Sequence, residues 1–155
     1  MAELDVGAEA PDFDLARDGG GRVSLSQFKG KPLVLFFYPK DDTSGCTVES
    51  IAFTALAPAF AAAGAAVVGM SPDSVKSHDK FVRKHDLGVT LASDEEKSII
   101  EAYGVWKEKS MYGRKYMGVE RTTFLIGADG RIARIWNKVK VDGHADEVLQ
   151  AAKDL

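Results

Sequence analysis

Cys46 is the only cysteine among 155 residues. It ends the polar turn Lys40-Asp41-Asp42-Thr43-Ser44-Gly45, which leaves the apolar run LVLFFY of Leu33 to Tyr38. With Thr43 as a helix N-cap, Cys46 is the third helical residue. Free backbone amides and the positive end of the helix dipole meet there, and both favour an anion. Only the thiolate is a good nucleophile, and such a position lowers a cysteine pKa from its ordinary value of about 8.5. The residue types thus allow a reactive, redox-active thiol. They equally allow an inert apolar filler, the common fate of a lone cytosolic cysteine. One cysteine excludes an intramolecular disulfide. With three scattered histidines it also gives no zinc-ligand spacing, so no metal is expected.

The elements that must position this thiol follow from pattern. LVLFFY reads as a strand buried on both faces and ended by Pro39, which has no amide for the ladder. A long helix is expected from near Cys46 towards Gly64, kinked or divided by Pro58. Ala65 to Met70 reads as a second buried strand. Ser71-Pro72-Asp73 is a turn, and Asp73 or Ser74 caps a helix through about Asp86. A short strand near Leu91 precedes a helix over Asp94 to Tyr103, and Gly104 to Gly118 reads as irregular. Arg121 to Ile126 and Arg131 to Trp136 are strands joined by the turn Gly127-Ala128-Asp129-Gly130. Gly143 to Leu155 is a final helix. Gly19-Gly20-Gly21 is a loop between short extended segments. It is not a phosphate loop, because no Gly-Lys-Ser/Thr follows.

Helices between the early strands require parallel neighbours, and the hairpin adds an antiparallel edge. The expected class is α/β, a mixed central sheet flanked by helices on both faces. Sites in such sheets lie just past the carboxyl ends of strands, where Cys46 falls. His78 and His85 share one helix and read as a surface or boundary pair. Trp106 and Trp136 read as packing residues, and Lys107 to Tyr116 as a solvated loop or a lining of the substrate entrance.

Composition narrows the setting. The length suits one domain over residues 1–155, and 45% apolar with 28% charged residues suits a soluble globular chain. A net charge of −3 argues against a nucleic-acid partner, which needs a basic surface. The longest apolar stretch, Ala57 to Met70, is broken by Pro58 and Gly64 and is too short for a bilayer. No signal peptide pattern opens the sequence, so the expected location is the cytoplasm.

Tyr38-Pro39-Lys40-Asp41-Asp42-Thr43-Ser44-Gly45-Cys46-Thr47-Val48-Glu49 resembles the peroxiredoxin active-site loop, whose core Pro-x-x-x-Thr-x-x-Cys is met by Pro39, Thr43 and Cys46. The flanking residues resemble the bacterioferritin-comigratory (PrxQ) subfamily. So do Gly7 to Phe13, Gly69 to Asp79, Tyr103-Gly104-Val105, Met111-Tyr112-Gly113 and Arg121-Thr122-Thr123-Phe124-Leu125-Ile126. The resemblance implies a thioredoxin-like fold and thiol-dependent reduction of hydrogen peroxide and organic hydroperoxides, without a cofactor. It makes Cys46 the peroxidatic nucleophile, which becomes a sulfenic acid. It makes Arg121 the cation beside the thiolate and the leaving oxygen. Thr43 would place a hydroxyl beside sulfur and peroxide. Pro39 would shield the pocket and fix the loop. The amides of Gly45 and Cys46 would donate to peroxide oxygen. Glu49 would orient Arg121.

Three positions depart from that pattern. Ser44 stands where PrxQ loops commonly have proline. Ile51 and Val82 stand where many relatives carry a resolving cysteine. The expectation is therefore a one-cysteine enzyme, a monomer or weak homodimer. Its sulfenic acid is reduced by an external thiol such as glutathione, glutaredoxin or thioredoxin. A disulfide between Cys46 of two chains would need a thiol less recessed than this one. Three rival readings stand beside it. A thioredoxin-type oxidoreductase needs Cys-x-x-Cys, and the fourth residue here is Glu49. An acyl-transfer enzyme needs a histidine at Cys46, and none is adjacent in sequence. A peroxide sensor or holdase would be oxidised without efficient turnover.

Overall fold

The structure, a computed structural model, describes residues 4–155. Two short strands, β1 (Asp14–Ala16) and β2 (Arg22–Ser24), pair antiparallel around the glycine triplet, all three of whose residues have positive φ. The LVLFFY run forms β3 (Leu33–Phe37), every residue of which is buried. The chain then turns into α1 (Ser44–Ala62), returns as β4 (Ala66–Ser71), and crosses through α2 (Val75–His85) to β5 (Thr90–Ser93). A short α3 (Ser98–Ala102) leads to a ribbon of β6 (Trp106–Met111) and β7 (Arg114–Val119). The hairpin β8 (Thr122–Ile126) and β9 (Ile132–Trp136) and the helix α4 (His144–Lys153) complete the chain.

The central sheet has the order β5-β4-β3-β8-β9. β3, β4 and β5 are parallel, and β8 and β9 are antiparallel to their neighbours. Alternation along β3 divides the core. Val34 and Phe36 face a cluster with Phe53, Phe60, Phe81 and Val148, under α1, α2 and α4. Leu33, Leu35 and Phe37 face Met70, Ile100, Tyr103 and Phe124 on the other side. This is the thioredoxin-like α/β layering expected from the sequence.

Four expectations are corrected. The segment 104–118 is not irregular: β6 and β7 pair from Trp106↔Val119 to Met111↔Arg114. Tyr112 and Gly113 have φ of +52° and +78°, and positive φ at both turn residues is the hairpin signature. The ribbon is mostly exposed and rich in lysine, so it carries no apolar alternation to read. Secondly, the helix expected from Asp94 begins only at Ser98, because Asp94 folds back and its carboxylate accepts the Ile100 amide at 2.7 Å. Thirdly, Pro58 does not divide α1, which runs through it from Ser44 to Ala62. A proline forfeits one helical hydrogen bond, and the packing of Phe53 and Phe60 against the sheet carries the helix past it. Lastly, His78 is not at the surface but fully buried.

By length and composition alone the 19-residue α1 would suffice to cross a bilayer, with mean hydropathy 1.3 over its most apolar 18 residues. It is instead packed on the sheet and α4, with Cys46, Glu49, Ser50, Phe53 and Phe60 buried. The apolar stretch of Ala57 to Met70 is divided between α1 and β4.

Gly69 marks the tightest packing in the sheet. A Cβ there would stand 2.6 Å from Phe36 Cζ and 2.9 Å from Leu91 Cδ2, both fully buried side chains. Gly69→Ala is expected to destabilise the fold by about 1–3 kcal/mol through overpacking. Urea unfolding would check this, and a midpoint equal to the unaltered protein's would contradict it.

Candidate active site

Three elements converge on the sulfur. β3 delivers the chain to the loop of residues 38–43, and Thr43, with extended backbone at φ −86° and ψ 156°, begins α1. Cys46 is then in the first helical turn, as the sequence predicts, and only 1% exposed. β8 lies beside β3, with Phe37 opposite Thr122, so the preceding residue, Arg121, enters at the same end of the sheet. Arg121 Nη2 donates to Cys46 Sγ at 3.2 Å, and Nη1 donates to Glu49 Oε1 at 2.7 Å. One guanidinium therefore holds the sulfur and a buried carboxylate together.

Glu49 is itself 1% exposed, and Oε2 is buried with no hydrogen-bond partner among the described residues. Burial pushes its carboxyl up from 4.5 to about 7, against the opposing charge and hydrogen bond of Arg121. Arg121 is pushed up despite partial burial, because Glu49 and Cys46 both favour its charge. Gly45 makes room for this approach: a Cβ there would stand 3.2 Å from Arg121 Nη2. The backbone of Arg121 is fixed by the Val139 amide, which donates to its carbonyl at 2.9 Å.

Thr43 differs from expectation. Its hydroxyl donates to the Lys40 carbonyl at 2.8 Å and neither caps the helix nor bonds Sγ. Its one hydrogen is engaged, so towards any further partner this hydroxyl can only accept. Pro39 is half-buried at the end of β3. Ile51 is exposed on α1, and Val82 packs against the core from α2.

Two features escaped the sequence. Lys109, on the ribbon read as a solvated loop or a lining of the substrate entrance, is pushed down by burial and by the charge of Arg121, against the opposing pull of Cys46 and Glu120. The other is a polar network beneath the loop. Asp41 accepts from Tyr38 Oη at 2.6 Å and Ser77 Oγ at 2.8 Å, and lies 2.7 Å from His78 Nδ1. Asp41, Asp73 and His78 cluster at metal-ligand spacing, but their atoms are already engaged: Asp73 Oδ2 accepts the Asp41 amide and the Ser71 hydroxyl. No histidine bonds Cys46: His85 pairs with Asp42 and His144 with the Thr123 hydroxyl. The acyl-transfer reading thus lacks its base among the described contacts.

The chain matches the AhpC/TSA family over residues 6–135. It is 47% identical over 152 residues to peroxiredoxin Bcp of Bacillus subtilis, covering 98% of this chain and 97% of that protein. Among solved structures, a cysteine-to-serine variant of Xylella fastidiosa PrxQ superposes with a TM-score of 0.93 at 40% identity, covering 99% of this chain and 98% of that one. The bacterioferritin comigratory protein of Xanthomonas campestris, described for its alkyl peroxide reduction activity, superposes with a TM-score of 0.89 at 45% identity, covering 99% and 98% of the two chains.

The buried carboxyl of Glu49 predicts a pH effect whose sign is fixed. Its folded pKa of about 7 exceeds the ordinary 4.5, so between these values the folded chain binds the proton more tightly than the unfolded one. Its contribution to stability is complete below pH 4.5 and is lost as pH rises through 7. Relative to the unaltered protein, Glu49→Gln should gain stability between pH 5 and pH 8 by on the order of 1–3 kcal/mol. Parallel stability–pH curves for the two proteins would contradict the assignment.

Proposed function

The chain belongs to the AhpC/TSA family as a peroxiredoxin of the Bcp/PrxQ kind, a thiol-dependent peroxidase, and from that premise we propose that Cys46 is its peroxidatic nucleophile and that an external thiol completes the cycle. The observation that carries this reading is the 3.2 Å hydrogen bond from Arg121 to Cys46 Sγ, at the first turn of α1. In the first step the thiolate attacks one peroxide oxygen. The S–O bond forms as the O–O bond breaks, sulfur is oxidised to sulfenic acid, and the departing alkoxide or hydroxide takes up a proton. Arg121 stabilises the charge that moves from sulfur to the leaving oxygen. The amides of Gly45 and Cys46 add donors at the helix start. Thr43 accepts from the peroxide O–H, Pro39 covers the loop against water, and Glu49 holds Arg121 in place.

The second half of the cycle follows from composition. Residues 51 and 82 are Ile and Val, and the chain has no second cysteine. A first external thiol condenses with the sulfenic acid, forming a mixed disulfide and water. A second external thiol attacks that disulfide and releases Cys46. Two thiols and one hydroperoxide thus become a disulfide, an alcohol and water. Glutathione, a glutaredoxin or a thioredoxin fits this chemistry. With the sulfur 1% exposed, a disulfide between Cys46 of two chains is disfavoured, which supports a monomer or weak homodimer.

A peroxide-consumption assay with a panel of thiol donors tests this. Catalytic turnover with at least one donor, and complete loss in Cys46→Ser, are the expected results. Arg121→Ala should slow Cys46 oxidation by about 100-fold and move the midpoint of its alkylation to higher pH. Turnover retained by Cys46→Ser overturns the assignment. Stoichiometric oxidation without turnover under every donor would instead identify a sensor.

A further inference from the structure

The loop of residues 38–43 has no regular structure of its own, yet it sets where α1 begins. Its middle residue, Asp42, has φ of +61°, a left-handed conformation unusual for a residue with a side chain. α2 grips this loop at two levels, two helical turns apart on one face. At the inner level, Ser77 Oγ donates to Asp41 Oδ2, and His78 Nδ1 lies 2.7 Å from that same oxygen. At the outer level, Lys84 Nζ and His85 Nε2 reach the two Asp42 carboxylate oxygens at 2.7 and 2.8 Å.

The geometry of the inner level favours an ion pair. His78 Nε2 lies 3.0 Å from the Ala92 carbonyl, which can only accept. Asp41 Oδ1 and Oδ2 accept from Tyr38 and Ser77, as a carboxylate does. His78 and Asp41 are each nearly inaccessible to water, and the ring faces an oxygen on both sides, the setting that favours a doubly protonated ring. The groups facing the pair are Tyr38 from the end of β3, Asp73 from the turn after β4, Ser77 from α2 and the Ala92 carbonyl of β5. Burial opposes the charged ring, but the hydrogen bond and charge of Asp41 outweigh it and push the pKa of His78 up.

We propose that Asp41 and His78, backed by Asp42 with Lys84 and His85, form a clasp through which α2 positions the Cys46 loop for peroxide attack and restrains its opening to the reducing thiol. The proposal rests on the peroxidase reading above. Clasped, the loop holds Sγ against Arg121 and almost wholly buried. That geometry serves attack on a small peroxide. It opposes the later step, because an external thiol must approach the sulfenic sulfur in line with the S–O bond. These residues are positioning residues, since none touches sulfur. The clasp therefore acts on the two half-reactions in opposite directions.

The test measures the half-reactions separately in the full chain. Oxidation of Cys46 by hydrogen peroxide is followed in a single turnover. Reduction of the preformed sulfenic acid is followed with dithiothreitol. Asp41→Asn and His78→Gln should each slow oxidation about 10-fold and accelerate reduction, and the double variant should be no slower than either alone. Lys84→Met with His85→Gln, at the outer level, should shift both rates the same way by about 2-fold to 3-fold. This variant leaves the core intact and decides the matter if the inner variants do not fold. Proton-coupled nitrogen resonances should show both His78 ring nitrogens protonated at neutral pH. Both rates falling together, both unchanged, or a neutral His78 ring would overturn the proposal. Failure of peroxide to oxidise the unaltered protein would overturn the peroxidase reading itself.

Discussion

The site depends on one guanidinium serving two buried partners, a sulfur and a carboxyl. Arg121 must touch Cys46 and Glu49 at once, and neither partner can move far, because both lie on the buried face of α1. The sheet order makes this contact possible. β8 lies directly against β3, so the residue entering β8 stands at the end of the sheet where β3 gives way to the α1 loop. Gly45 leaves the space through which the guanidinium reaches the sulfur. The Val139 amide holds the Arg121 backbone from the other side. The surroundings of the thiol are thus built from a helix start, a strand start and a small residue.

The price of that arrangement is a carboxyl kept in an apolar setting. Glu49 has one oxygen paired and one buried without a partner among the described residues, which accounts for its high pKa. Burying a carboxylate is costly unless its hydrogen bonds are complete, so Glu49 is a poor source of stability for the fold. Asp41 is the contrasting case. Its carboxylate is nearly as buried, but it accepts from Tyr38, Ser77 and His78 and is saturated. Full satisfaction suits a rigid support, whereas partial satisfaction suits a group beside changing charge. The two buried acids bracket Cys46 in sequence, one before the helix and one within it.

Much of the fold was legible because it follows from period and punctuation. LVLFFY marked β3, Pro39 its end, Ser74 the cap of α2, and Gly127 to Gly130 the β8–β9 turn. The β6–β7 ribbon was not legible. Its strands are mostly polar and exposed on both faces, and its turn places Tyr112 in a left-handed conformation that tyrosine does not advertise. His78 was misread for a related reason. Spacing puts it on the same face as His85, but spacing cannot say which end of that face the sheet covers. The pairing of His78 with Asp41 spans distant segments and left no local trace.

By itself the sequence determined the placement of Cys46. A strand, a proline, a polar turn and a helix start in succession put the thiol at the dipole's positive end, because those signals are local. The sequence likewise places Ile51 and Val82, not cysteines, at the two positions where many relatives carry a resolving thiol. The family resemblance pointed to Arg121, but only tertiary structure decided its contact with the sulfur, because Arg121 lies far along the chain and arrives through strand order. Tertiary structure also decided that the Thr43 hydroxyl is engaged by Lys40 and that α2 grips the loop through His78. Those outcomes depend on contacts between distant residues, where burial selects partners that local pattern cannot name.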